Sequence, residues 1–274
     1  MKAAWVCAAL WLALSLAAGA GDFEFSWRVF LSYAVTVGVL YIAASASRAR
    51  GWPLFWMLTV LYGGIGVVNI QIESFAFGIS PLFQTVRDTA LQLIPVVLAA
   101  AVLAIGMTRG VPPDTSKPAP GLARRVWLRM AAVSLSYLVL YFVAGGLIYP
   151  FVKPFYDSNS LIVIPSFGVI VSVQILRGLV YAASIAPLMR TMAGRRGHAA
   201  LVAGLALAVF GGIAPLLLPV DDILPPEVRA VHMIEILCSN FMLGVIGALL
   251  LVRRAPSPRA VSADVPDHGL VAGA

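Results

Sequence analysis

Apolar runs of about twenty residues recur from one end of this chain to the other, and most of them stop at arginine or lysine. A helix rises about 1.5 Å per residue, so a run of that length crosses the roughly 30 Å hydrocarbon core of a bilayer. Composition agrees. The 274 residues are 61% hydrophobic and only 11% charged, too few charges to coat a soluble globule of this size. The expected fold is therefore all-α, a single polytopic transmembrane bundle over residues 1–254 with about eight membrane-spanning helices and both termini cytoplasmic. The spans are expected near 3–20, 30–46, 53–73, 90–107, 130–148, 162–189, 199–218 and 231–252.

A net charge of +7 would suggest nucleic acid in a soluble protein, but here the basic residues punctuate apolar runs, and no nucleic-acid partner is expected. Fourteen of the nineteen Lys and Arg residues fall on the side assigned to the cytoplasm. Four (Arg28, Arg87, Lys153 and Arg229) fall outside, and one, Arg177, lies within a span. That bias orients the chain and suits a multi-pass protein of a bacterial inner membrane. The opening stretch ends in Ala18-Gly19-Ala20, which also suits signal-peptide cleavage. Lys2 inside, with Asp22 and Glu24 outside, favours an uncleaved first span instead, and cleavage would leave seven spans in the same orientation.

Between the spans, the basic linker 109–129 contains Val111-Pro-Pro-Asp-Thr-Ser-Lys-Pro-Ala-Pro120, which cannot be helical. Tyr149 to Ser160 reads as an outer surface loop, from its aromatic and proline content. The tail 255–274 has no pattern that could build a core and is expected to be disordered. Pairs of glycines at 63–64, 145–146 and 211–212 fall in the outer halves of three spans, where they allow another helix to come close.

Polar residues inside the spans carry what chemistry there is. Helix rise puts Arg177 and Asn240 at similar depth, roughly 20 Å from the basic boundary, and Glu73 and Glu235 one to two turns further out. Asn69 and Glu73 are spaced i,i+4. Gln174, Arg177, Tyr181 and Ser184 share one helical stripe, and His232, Glu235 and Ser239 share another. Stripes facing lipid would leave polar groups unsolvated, so the third, sixth and eighth spans are expected to face one another around an outward-opening polar cavity. Its expected ligand-binding residues are Glu73, Arg177, Glu235, Asn240, Asn69, Gln174 and His232, with Tyr137 and Tyr141, or Gln92, as further lining.

His232 and Glu235 at i,i+3 with Glu73 nearby also make a weak metal-ligand pattern, but without a symmetric partner it does not support a metal. No cofactor is expected: there is no phosphate-binding glycine loop, no His-Glu-x-x-His and no Gly-x-Ser-x-Gly. Cys7 and Cys238 sit at opposite depths of their spans and are not expected to pair. Three functions remain. The pocket binds or helps move a small anionic or lipid-like ligand, or it is the site of a membrane enzyme acting on a lipid-linked substrate, or the protein is an accessory subunit whose polar contacts are packing alone. The partner common to all three is the lipid bilayer; catalytic residues and oligomeric state are not specified by the sequence.

Overall fold

The computed structural model describes residues 5, 6, 8, 26–108, 125–158, 164–192, 196–218 and 225–252. All the regular structure among them is helical: α1 (Trp27–Ala46), α2 (Trp52–Ala76), α3 (Leu82–Thr108), α4 (Val126–Ser158), α5 (Phe167–Thr191), α6 (Arg196–Leu217) and α7 (Pro226–Leu251). These seven are long and apolar enough to cross a membrane. Of the span expected at 3–20, Trp5, Val6 and Ala8 are helical and the remainder lies outside the described residues, as do the tail 255–274 and linker positions 109–124.

The helix starts follow local chemistry. Ser26 accepts a hydrogen bond from the backbone N–H of Val29 at 3.3 Å and caps α1. Gly51 takes a left-handed φ of 57° and Pro53 follows in the first turn of α2. Pro226 and Glu227 open α7, where a carboxylate favours the positive end of the helix dipole.

Two outer boundaries differ from expectation. The connection around Arg87 and Asp88 is helical from Leu82, and the two side chains pair with each other at 2.9 Å. The outer loop expected from Tyr149 is helical as far as Ser158, so α4 has 33 residues. Pro150 and Pro154 each remove a backbone hydrogen bond. The helix continues past them because Val152 is buried against the bundle and Lys153 pairs with Asp157 one turn on. On the other side, Val126 to Arg129, expected in the linker, already belong to α4.

Packing has a clear centre. In α6, 72% of the most apolar window is buried, against 17% in α4, so α6 is the axial helix and α4 lies at the lipid-facing edge. One cluster of buried apolar residues draws on all seven helices. Between helices in a membrane, close packing and hydrogen bonds replace the hydrophobic effect as the main attraction. At the basic end, Arg129 of α4 donates to Leu250 O and Arg196 of α6 to Leu249 O and Val252 O, satisfying carbonyls that the end of α7 leaves open. Arg48 N–H donates to Thr191 O at 2.8 Å, which pins the α1–α2 connection to the end of α5.

The helices α2 and α6 are not α-helical throughout. Gly63–Val68 and Val209–Ile213 are π-helical, and the two wide turns touch, with the rings of Tyr62 and Phe210 5.0 Å apart. Such turns often sit beside functional groups. Here the first ends one residue before Asn69, and Gly211 of the second meets Asn240 and Tyr181.

Candidate functional site

Arg177 projects from α5 toward α2. Its Nε donates to Oδ1 of Asn69 at 2.7 Å, and its Nη1 to Oε1 of Glu73 at 2.6 Å and to Oε1 of Gln174 at 3.1 Å. Asn69 closes a second bond, from Nδ2 to the carbonyl of Arg177 itself at 3.1 Å. That grip follows from the π-turn, which ends one residue before Asn69 and so sets the register of Asn69 and Glu73 against α5. Gly64 allows the approach, since any Cβ there would run into Ser184. Tyr137 of α4 lies beneath the guanidinium, whose Cζ is 5.6 Å from the ring centroid, within cation–π range.

Exposure is uneven across this cluster. Arg177, Asn69 and Gln174 are buried, whereas the side chain of Glu73 is 37% exposed. The ion pair therefore joins a buried guanidinium to a carboxylate that reaches the molecular surface. Gln174 keeps its Nε2 buried and without a partner at hydrogen-bond geometry, although the Tyr141 hydroxyl approaches it.

Glu235 belongs to a second cluster. Its Oε2 is 2.8 Å from Nδ1 of His232, and Nε2 of His232 is 2.9 Å from the hydroxyl of Tyr156. With Glu235 ionised, Nδ1 carries the ring proton and donates to it, leaving Nε2 to accept from Tyr156. Oε1 of Glu235 is turned toward α4, 4.0 Å from where a side chain on Gly145 would begin. Tyr141 lies one turn beyond Tyr137 on α4, with the two rings 6.4 Å apart. Tyr156 in turn interacts with Tyr141, Glu235 and Glu73.

Asn240 lies deeper. Its Nδ2 reaches Leu207 O and Gly211 O at 3.4 Å each, carbonyls of the helix that widens into the second π-turn. A Cβ on Gly211 would be 2.9 Å from Nδ2 of Asn240 and 3.0 Å from the hydroxyl of Tyr181. Tyr181 links this level to the one above, since its ring packs edge-on against Tyr137 at 5.0 Å, beneath Arg177.

Of the expected residues, Arg177, Glu73, Asn69 and Gln174 form one bonded set, His232 and Glu235 a neighbouring one, and Asn240 holds helices together below them. Gln92 is exposed on α3 and lines nothing with the others. Among the described residues, no three His, Cys, Asp or Glu side chains converge as a metal site. Tyr156 is the residue that sequence reasoning missed. It falls in a stretch read as a loop, and its link to His232 is a contact between distant segments with no local signal. The paired glycines of α2 and α6 were the only visible sign of the π-turns.

Comparison with family models, curated proteins and solved structures finds no match to this chain.

Proposed function

We propose that this protein is an eight-span, multi-pass protein of a bacterial inner membrane, with both termini cytoplasmic, whose outward end binds or helps move a small anionic or lipid-like ligand. The threading is supported by the basic-residue bias and by the helical conformation of Trp5, Val6 and Ala8.

The observation that carries the ligand class is the 2.6 Å contact between a buried guanidinium and a carboxylate that is 37% exposed. Glu73 takes the position of an incoming anion, so ligand and Glu73 compete for Arg177. Protonation of Glu73 releases the guanidinium, because a neutral carboxyl holds it far less strongly than an ionised ligand would. Asn69 and Gln174 keep the guanidinium aimed during the exchange, and Arg177 stays charged throughout. Binding is thereby linked to uptake of one proton. Tyr156, His232 and Glu235 form a hydrogen-bonded chain suited to bring that proton in from the outer surface.

Thermal unfolding in detergent tests this, with carboxylates, phosphates and glycerophosphate headgroups added at acid and at alkaline pH. Anions are expected to stabilise the wild type more at acid pH, and to stabilise Glu73→Gln equally at both. Anions that leave both proteins unmoved at either pH would sink the proposal. One observation favours a second reading. His232 is bonded to Glu235 through Nδ1, and its Nε2 is 2.9 Å from a hydroxyl, the arrangement that a general base requires in an enzyme acting on a lipid-linked substrate. Hydrolysis of such a substrate, lost in His232→Ala, would decide for the enzyme.

A further inference from the structure

A groove of about 600 Å³ lies far from the polar site, between the first turn of α2 and the basic end of α3. Its walls are Gly51, Trp52 and Phe55 on one side and Val97, Ala101, Ala104, Ile105 and Thr108 on the other. The gap exists because small residues, Ala101 and Ala104, stand opposite an aromatic wall. Trp52 and Phe55 stack at 4.9 Å, and Trp56 braces Trp52 edge-on at 5.3 Å. The polar end is fixed, since the Gly51 N–H donates to Oγ1 of Thr108 at 2.7 Å.

We infer that this groove holds one acyl chain of an anionic phospholipid from the leaflet at the basic end of the bundle. Length is the first reason. From Val97 to Thr108 the groove wall covers about 16 Å of helix, and one leaflet of a 30 Å hydrocarbon core is about 15 Å deep. The volume falls within the range of roughly 300–1,000 Å³ that small-molecule sites occupy.

Charge is the second reason. Arg50 immediately precedes Gly51, which lines the groove, Arg48 lies two residues before that, and neither makes an ion pair among the described residues. Arg50 is held there by bonds from Nη1 to Ser47 O and Ala49 O, and its Nε is buried with no partner. A lipid phosphate here meets positive charge while its chain meets hydrocarbon.

Other occupants fit less well. The N-terminal stretch meets α3 on another face, where Trp5 packs against Gly106, about 150° around the helix from the groove wall. A second copy of the chain would bring a second Arg48 and Arg50 to the same end of the bilayer. The inference is independent of the anion site.

The full-length protein in phosphatidylcholine nanodiscs, doped with phosphatidylglycerol bearing a photoreactive group on its acyl chain, tests it. Cross-links are expected on the segments Val97–Thr108 and Trp52–Phe55. Unlabelled phosphatidylglycerol should compete at least about tenfold better than phosphatidylcholine. Ala101→Phe, which fills the groove, should remove labelling of Val97–Thr108, and Arg50→Gln should remove the headgroup preference while leaving some labelling. The wild-type map stands even if a variant does not fold. Labelling spread evenly over lipid-facing residues such as Phe83 and Leu147, or equal competition by the two lipids, would overturn the inference. So would disulfide cross-linking between copies through Ile105→Cys, which would assign the groove to a second copy.

Discussion

Arg177 holds a full charge at a depth where water cannot solvate it, and each of its neighbours is there because of that. Asn69 and Gln174 supply neutral oxygens, Glu73 supplies the countercharge, and Tyr137 supplies a ring face. Removing the guanidinium leaves the buried Oδ1 of Asn69 and Oε1 of Gln174 without their donor, and each buried acceptor left unsatisfied costs about 1–3 kcal/mol. Arg177→Leu is therefore expected to lower the thermal midpoint sharply in detergent. Glu73→Gln, which keeps a neutral acceptor at a partly exposed position, should lower it much less. Equal losses would mean that the pair acts as a structural clamp rather than as a displaceable contact. Arg177→Lys should resemble the leucine variant, since one ammonium cannot follow the planar fork that meets Asn69 and Glu73. The residues of this site were legible in the sequence, because polar groups at helical spacing inside apolar runs need partners at equal depth. Which carboxylate meets the arginine was not legible, since Glu73 and Glu235 lie within about one turn of each other in depth.

At the scale of the helix, the wide turns of α2 and α6 set the register of the polar residues. Gly211 marks where the second turn meets Asn240 and Tyr181, whereas Gly146 on α4 has nothing within 4 Å of where its side chain would begin. Gly211→Ala is expected to destabilise by about 1–3 kcal/mol through overpacking. Gly146→Ala should be neutral or slightly stabilising, by up to about 1 kcal/mol, from helix propensity alone. Unfolding of the two variants side by side checks the difference. The outer end of α4 is bonded to α7 from Tyr156 to His232. His232→Ala should accelerate amide exchange selectively in residues 150–158, leaving the inner half of α4 protected. Local propensity argued for a loop there, and it was overruled by burial of Val152 and by the polar contacts of Tyr156.

For the whole molecule, arginines at the basic end of the bundle close it, because Arg129 and Arg196 converge on the last carbonyls of α7. Reporter fusions check the threading. A fluorescent protein joined within 109–124 or after residue 254 should fluoresce, and alkaline phosphatase inserted within 159–163 or 219–224 should be active. A fluorescent fusion within 159–163 would reverse the orientation. That the described chain forms seven helices long and apolar enough to cross a membrane was legible in the sequence, because bilayer thickness and helix rise convert residue number directly into distance. What only the tertiary structure decided was lateral: which helix is central, which carboxylate takes the arginine, that Tyr156 returns to His232, and where a gap is left beside α3. Those depend on how helices rotate and pack about parallel axes, and along those axes the hydrophobic pattern repeats too similarly to choose one neighbour over another.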